Sequence, residues 1–95
     1  MDLNLDPNKV KPMSPSDSVL LQRWARQQDA EALHVIVSRH SKMVYNTCLR
    51  VLGNPADAED VAQECFVKLA GGVKPRGDSM TGLLHTMATN LALNR

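Results

Sequence analysis

Asn54-Pro55-Ala56-Asp57-Ala58-Glu59-Asp60-Val61-Ala62-Gln63-Glu64-Cys65-Phe66-Val67-Lys68-Leu69 predicts a helix that uses one face to fold and leaves the other uncommitted. Asn54 can accept backbone N–H bonds as N-cap. Pro55 suits the first helical position because its missing donor would have no partner there, and Asp57 favours the positive end of the helix dipole. Gly71-Gly72 ends the helix. Ala58, Val61, Ala62, Cys65, Phe66 and Leu69 recur at three- and four-residue steps and share one side, whereas Asp57, Asp60 and Glu64 line the opposite one.

Acidic rows on helices are commonly solvated faces, but the distribution of charge along this chain favours a surface made for a partner. From Met1 to Gly53 there are seven basic and five acidic residues, a net +2, and from Gly71 to Arg95 three against one, again +2. Between them, Asn54 to Ala70 sets only Lys68 against Asp57, Glu59, Asp60 and Glu64, a net −3. The formal charge of +1 therefore hides one acidic helix between two basic segments, which suits contact with both a basic protein surface and a polyanion.

The same helical grammar recurs elsewhere in the 95 residues. Ser14-Pro15-Ser16-Asp17 predicts a helix start with Pro15 in the first position, and the helix should run to about Gln27 with Val19, Leu20 and Trp24 inward. Asp29 can cap a longer helix to about Leu52, in which Leu33, Ile36, Val37, His40, Val44, Thr47, Cys48 and Val51 form the apolar side and Gly53 the stop. His40 is expected as a hydrogen-bonded core histidine. Arg39, Lys42, Asn46 and Arg50 form a row on the reverse side, most simply a solvated cationic face. Asp78 or Ser79 can cap a last helix with Met80, Leu83, Leu84, Met87, Ala88 and Leu91 facing the core.

These segments predict an all-α fold, a compact bundle of about four helices over residues 14–95 behind a flexible tail of residues 1–13. That tail holds Pro7 and Pro12 and too little apolar surface to offset its ordering entropy. A chain of this size buries only about 60 to 65% of the surface its unfolded form exposes, so stability should be modest. Cys48 and Cys65 fall on apolar helix sides and are expected as reduced core residues, which fits a cytoplasmic protein. The acidic start Met1-Asp2-Leu3-Asn4-Leu5-Asp6 is unlike a secretory signal, and no apolar run approaches the ~20 residues that cross a bilayer.

Catalytic chemistry finds no foothold. The sequence has no glycine-rich phosphate loop with its lysine, no HExxH and no CxxC pair. His34, His40, His85, Cys48 and Cys65 are spaced unlike zinc ligands, and the acidic row lacks the matching Glu and His ligands of a di-metal bundle. No enzyme, cofactor or metal is expected.

Asp57-Ala58-Glu59-Asp60-Val61-Ala62-Gln63-Glu64-Cys65-Phe66-Val67-Lys68-Leu69, taken with Leu84-His85-Thr86-Met87-Ala88-Thr89-Asn90-Leu91-Ala92-Leu93-Asn94-Arg95, resembles region 2 of a bacterial sigma factor of the extracytoplasmic-function group. The likeness spans about Ser16 to Arg95, is most specific in the first of these stretches, and extends to the approach Arg50-Val51-Leu52-Gly53-Asn54. It implies that Asp57, Asp60, Gln63 and Glu64 bind the clamp helices, a basic coiled coil on the largest subunit of RNA polymerase core. Phe66 stays on the packing face. For promoter DNA it implies contacts with the minus-ten element, partly as single strand with a flipped base. Lys74, Arg76 and Asp78 would act from the loop, and His85, Thr89, Asn90 and Arg95 on or beside the last helix.

Family members often enter the last helix with phenylalanine, arginine and tryptophan, where this chain has Met80-Thr81-Gly82-Leu83. Thr89 and Asn94 replace a customary arginine and aspartate. With Trp24, Tyr45 and Phe66 the only aromatics, stacking has little to act through, so the bare domain should bind DNA weakly. A full-length factor carries a second helix-turn-helix domain for the minus-thirty-five element, so the chain is expected to be either a fragment of such a factor or a natural short relative, the fragment being favoured. An anti-sigma protein stays open as a further partner. The alternative from another class is a protein-interaction module, a sigma-like decoy or helical adaptor that docks without reading DNA.

Overall fold

The computed structural model describes residues 15–72 and 79–95. The predicted tail and the loop residues Lys74, Arg76 and Asp78 lie outside the described residues. Four helices are present, α1 (Asp17–Gln27), α2 (Ala30–Leu52), α3 (Pro55–Ala70) and α4 (Met80–Leu93), and the described residues contain no strand.

Local chemistry sets the boundaries. Asp29 Oδ1 accepts from the backbone N–H groups of Glu31 at 3.1 Å and Ala32 at 3.3 Å, which opens α2. Asn54 Oδ1 accepts from Asp57 N at 3.0 Å with Pro55 at the helix start, and Ser79 Oγ accepts from Gly82 N at 2.9 Å to open α4. The start of α1 differs from the expectation. Ser16 Oγ accepts from Val19 N at 3.4 Å, so Asp17 and not Pro15 opens the helix. Ser16 holds the extended backbone that a cap requires, at φ −66° and ψ 157°. Gly53 closes α2 in the left-handed region at φ 69°, where a side chain would be strained.

The long α2 packs against α1, α3 and α4, and α3 also packs against α4. Ile36, Val44 and Cys48 of α2, Ala58, Val61, Cys65 and Leu69 of α3, and Leu84 and Ala88 of α4 have no solvent exposure. Met80, Leu84, Ala88 and Ala92 repeat at four-residue steps, and the two alanines admit close approach of the helices. Leu20 is the buried contribution of α1. Trp24 is half-buried, and its indole N–H donates to the Ala70 carbonyl at 2.9 Å, pinning α1 to the end of α3. Val19 and Val51, expected inward, are exposed at 41% and 39%. Helical spacing sets a side chain's direction but not whether a neighbour reaches far enough to cover it.

His40 is the hydrogen-bonded histidine its apolar neighbours suggested. Its Nε2 meets Asp17 Oδ2 at 2.8 Å, and Arg39 donates to Asp17 Oδ1 at 2.9 Å, so one carboxylate at the head of α1 takes two partners from α2. The cationic row on α2 is therefore shortened, because Arg39, though exposed, is paired with Asp17 of α1.

Both cysteines are free and fully buried. Burial, with smaller contributions from Cys48 and Glu64, pushes the Cys65 thiol from an ordinary value near 9.0 up to about 11, and burial also raises Cys48. The protonated thiol thus favours the folded chain. Its stabilisation is intact below the unfolded value near 9.0 and is lost as pH rises towards about 11. Native protein at pH 8 should resist Ellman's reagent, with both thiols reacting once urea unfolds it, and urea midpoints should fall between those two pH values. Rapid labelling of the native chain would contradict this burial.

Candidate functional site

The face of α3 turned away from the core is the most strongly patterned surface of the described molecule. Ala58, Val61, Cys65 and Leu69 fasten the helix inward, and Asn54 and Pro55 fix its first turn, so the outward side chains stand on a rigid base. Asp60, Gln63 and Glu64 are exposed, and the Asp57 side chain is half-exposed at 49%. Three carboxylates and one amide thus occupy less than three turns of helix on one solvent-facing side.

Two features of this face were not read from the sequence. Val67 is 69% exposed and lies three and four residues beyond Glu64 and Gln63, which sets an apolar group in the same row. Its only signal was a position one step off the apolar pattern. The second feature is a guanidinium. Arg95 Nη2 lies 3.3 Å from Asp60 Oδ2 and 3.5 Å from Asp57 Oδ1. The Cys65 thiol faces the Leu84 carbonyl at 3.9 Å while Arg95 meets Asp57 and Asp60, so α3 and α4 run antiparallel and the end of α4 reaches the first turns of α3. Among the described residues no cation pairs with Glu64 or Glu59. The stripe thus has a half clasped by the chain's own guanidinium, at Asp57 and Asp60, and an open half at Gln63, Glu64 and Val67.

Residues expected on the other surface are distributed unevenly. His85 and Asn90 are exposed on α4, while Thr89 between them is half-buried. Arg95, expected beside them, is turned to the carboxylates of α3. No residue of α4 itself carries a formal charge. Lys42, Asn46 and Arg50 remain exposed on α2. Among the described residues no three His, Cys, Asp or Glu side chains gather in a way that could hold a metal ion. No described helix is long and apolar enough to cross a membrane.

Comparison with known proteins gives this surface a context. The sequence pattern of the sigma-70 region 2 family matches residues 36–95, which include all of α3 and α4. The chain is 32% identical over 75 residues to the ECF RNA polymerase sigma factor SigW of Bacillus subtilis (strain 168), covering 77% of this chain and 40% of that protein. It is 30% identical over 91 residues to the ECF RNA polymerase sigma factor SigE of Mycolicibacterium smegmatis, covering 94% of this chain and 35% of that protein. The corresponding values for the ECF RNA polymerase sigma factor SigK of Mycobacterium sp. (strain KMS) are 28% over 87 residues, 88% and 45%. The chain thus spans less than half the length of each. No solved structure matches it significantly.

Proposed function

We propose a role in transcription initiation for this chain, which belongs to the sigma-70 region 2 family in the form carried by extracytoplasmic-function sigma factors. In this reading the outward face of α3 docks on the clamp helices of RNA polymerase core, with Asp60, Gln63 and Glu64 as the central contacts and Asp57 beside them. The observation that carries it is a capped, core-fastened helix that holds carboxylates and an amide in water, where they can accept charge-assisted bonds from a partner's arginines. Such bonds favour geometry and sign over area, which suits a small domain recognising a basic coiled coil.

His85, Asn90 and the edge of Thr89 then face the promoter minus-ten element, with Lys74 and Arg76 supplying phosphate contacts from the preceding loop. A second reading, docking without DNA readout, is favoured by the uncharged α4 and by the engagement of Arg95 on α3. Pull-down of core polymerase by the chain tests the docking shared by both readings. Gel shift with a minus-ten oligonucleotide separates them. The initiation reading expects weak binding that fades as salt rises from about 50 to 200 mM, steeply if several phosphates are neutralised. No shift even at low salt and in the presence of core polymerase would leave the docking-only reading.

A further inference from the structure

We propose that Arg95 is an intramolecular competitor for the docking carboxylates, so that polymerase must displace the domain's own guanidinium before it can engage Asp57 and Asp60. The inference rests on the docking reading of α3 given above. Arg95 Nη2 stands between Asp60 Oδ2 at 3.3 Å and Asp57 Oδ1 at 3.5 Å, carboxylates one turn apart on the docking stripe. A clamp arginine would seek this same pair. Arg95 already takes one oxygen from each carboxylate, Asp57 Oδ1 and Asp60 Oδ2, so an incoming guanidinium meets fewer free acceptors and a like charge beside them.

The surroundings make the contact reversible. The Arg95 side chain is 38% exposed, and those of Asp57 and Asp60 are 49% and 68% exposed, so water can replace either bond as it opens. Exposed pairs of this kind are individually weak and depend on salt. Weakness is what a reversible mask requires. If the clasp is closed about four-fifths of the time, the docking-competent fraction is about one-fifth and the apparent affinity for core drops about fivefold. Gln63 and Glu64 lie outside the clasp, so polymerase can make its first contacts there and then take over the masked pair.

Arg95→Ala and the shape-retaining Arg95→Gln test the mask against wild type by titration onto bacterial core RNA polymerase. At about 50 mM salt both variants should bind about two- to fivefold tighter than wild type, with the difference closing near 500 mM as the clasp is screened. Unchanged affinity at low salt would overturn the proposal. Weaker binding would also overturn it and identify Arg95 as a brace between α3 and α4 or as a polymerase contact. A fall in helical content, read by circular dichroism, would separate those two roles. Glu64→Arg in the same titration distinguishes the levels of failure. If it loses binding while the Arg95 variants match wild type, only the mask fails. If it binds as well as wild type, the docking reading fails and the mask with it.

Discussion

Glu64→Arg should abolish capture of core RNA polymerase, a loss of at least about a hundredfold in affinity, while leaving the far-ultraviolet circular dichroism of the domain unchanged. Among the described residues nothing in the fold engages this carboxylate. Glu64 is exposed and pairs with no described cation, while α3 is held by Ala58, Val61, Cys65 and Leu69 on its other side. Replacing it with arginine sets a cation against a basic partner at the centre of the proposed contact. Charge reversal removes a favourable bond and adds repulsion, and central interface residues can cost 2 kcal/mol or more, about thirtyfold, on truncation alone. Glu59→Arg is the matched control. It makes the same change of charge on the same helix, about 140° from Glu64 but one turn before Gln63 at the edge of the face, and should cost clearly less than Glu64→Arg. Binding of the Glu64 variant at wild-type strength would remove the basis for the docking face, and equal losses in both variants would reduce it to long-range attraction.

Asp60→Arg offers a graded comparison. This carboxylate already carries the Arg95 guanidinium, so its replacement breaks an internal pair as well as a docking contact. Its effect on binding should be smaller than that of Glu64→Arg, because part of what Asp60 could give a partner is already taken.

What could be read from the sequence followed the range over which each feature is determined. The caps at Asp29 and Asn54, and that at Ser79 as one of two adjacent candidates, were legible because a cap is decided within three residues, and the one displaced start falls two residues later, with Ser16 as cap. The buried row of α3 was legible because its period is strict and its opposite side is charged. Val19 and Val51 were misplaced because their exposure depends on where other helices end.

Contacts between distant residues left no such trace. Trp24 finds the Ala70 carbonyl 46 positions away, Asp17 gathers Arg39 and His40 across 22 and 23, and Arg95 reaches Asp60 across 35. Each depends on packing of whole helices, which no local pattern encodes. For the candidate site, the resemblance implied a DNA contact for Arg95 beside α4, and the antiparallel run of α4 along α3 adds a pairing with the acidic stripe that no local pattern signals.

Leu84→Ala should destabilise the domain by about 2–5 kcal/mol, enough to leave much of it unfolded at 37 °C. Leu84 has no solvent exposure and is the only leucine in the four-step row Met80, Leu84, Ala88, Ala92 that seats α4. Its neighbours in that row are mostly small, so nearby side chains cannot readily refill the space, and the cavity cost adds to the lost burial. In a domain of this size each kcal/mol is worth roughly 4–8 °C, so the midpoint of thermal unfolding should drop by about 10 °C or more. Leu93→Ala, made on the same helix at a side chain 67% exposed, should change stability by no more than about 0.5 kcal/mol. Urea unfolding followed by circular dichroism compares the two directly, and a loss at Leu84 no larger than that at Leu93 would refute the placement of α4. The substitution also links the fold to the site. Arg95 is presented by the end of α4, so loosening the Leu84 seat should release the guanidinium from Asp57 and Asp60 before α3 itself unfolds.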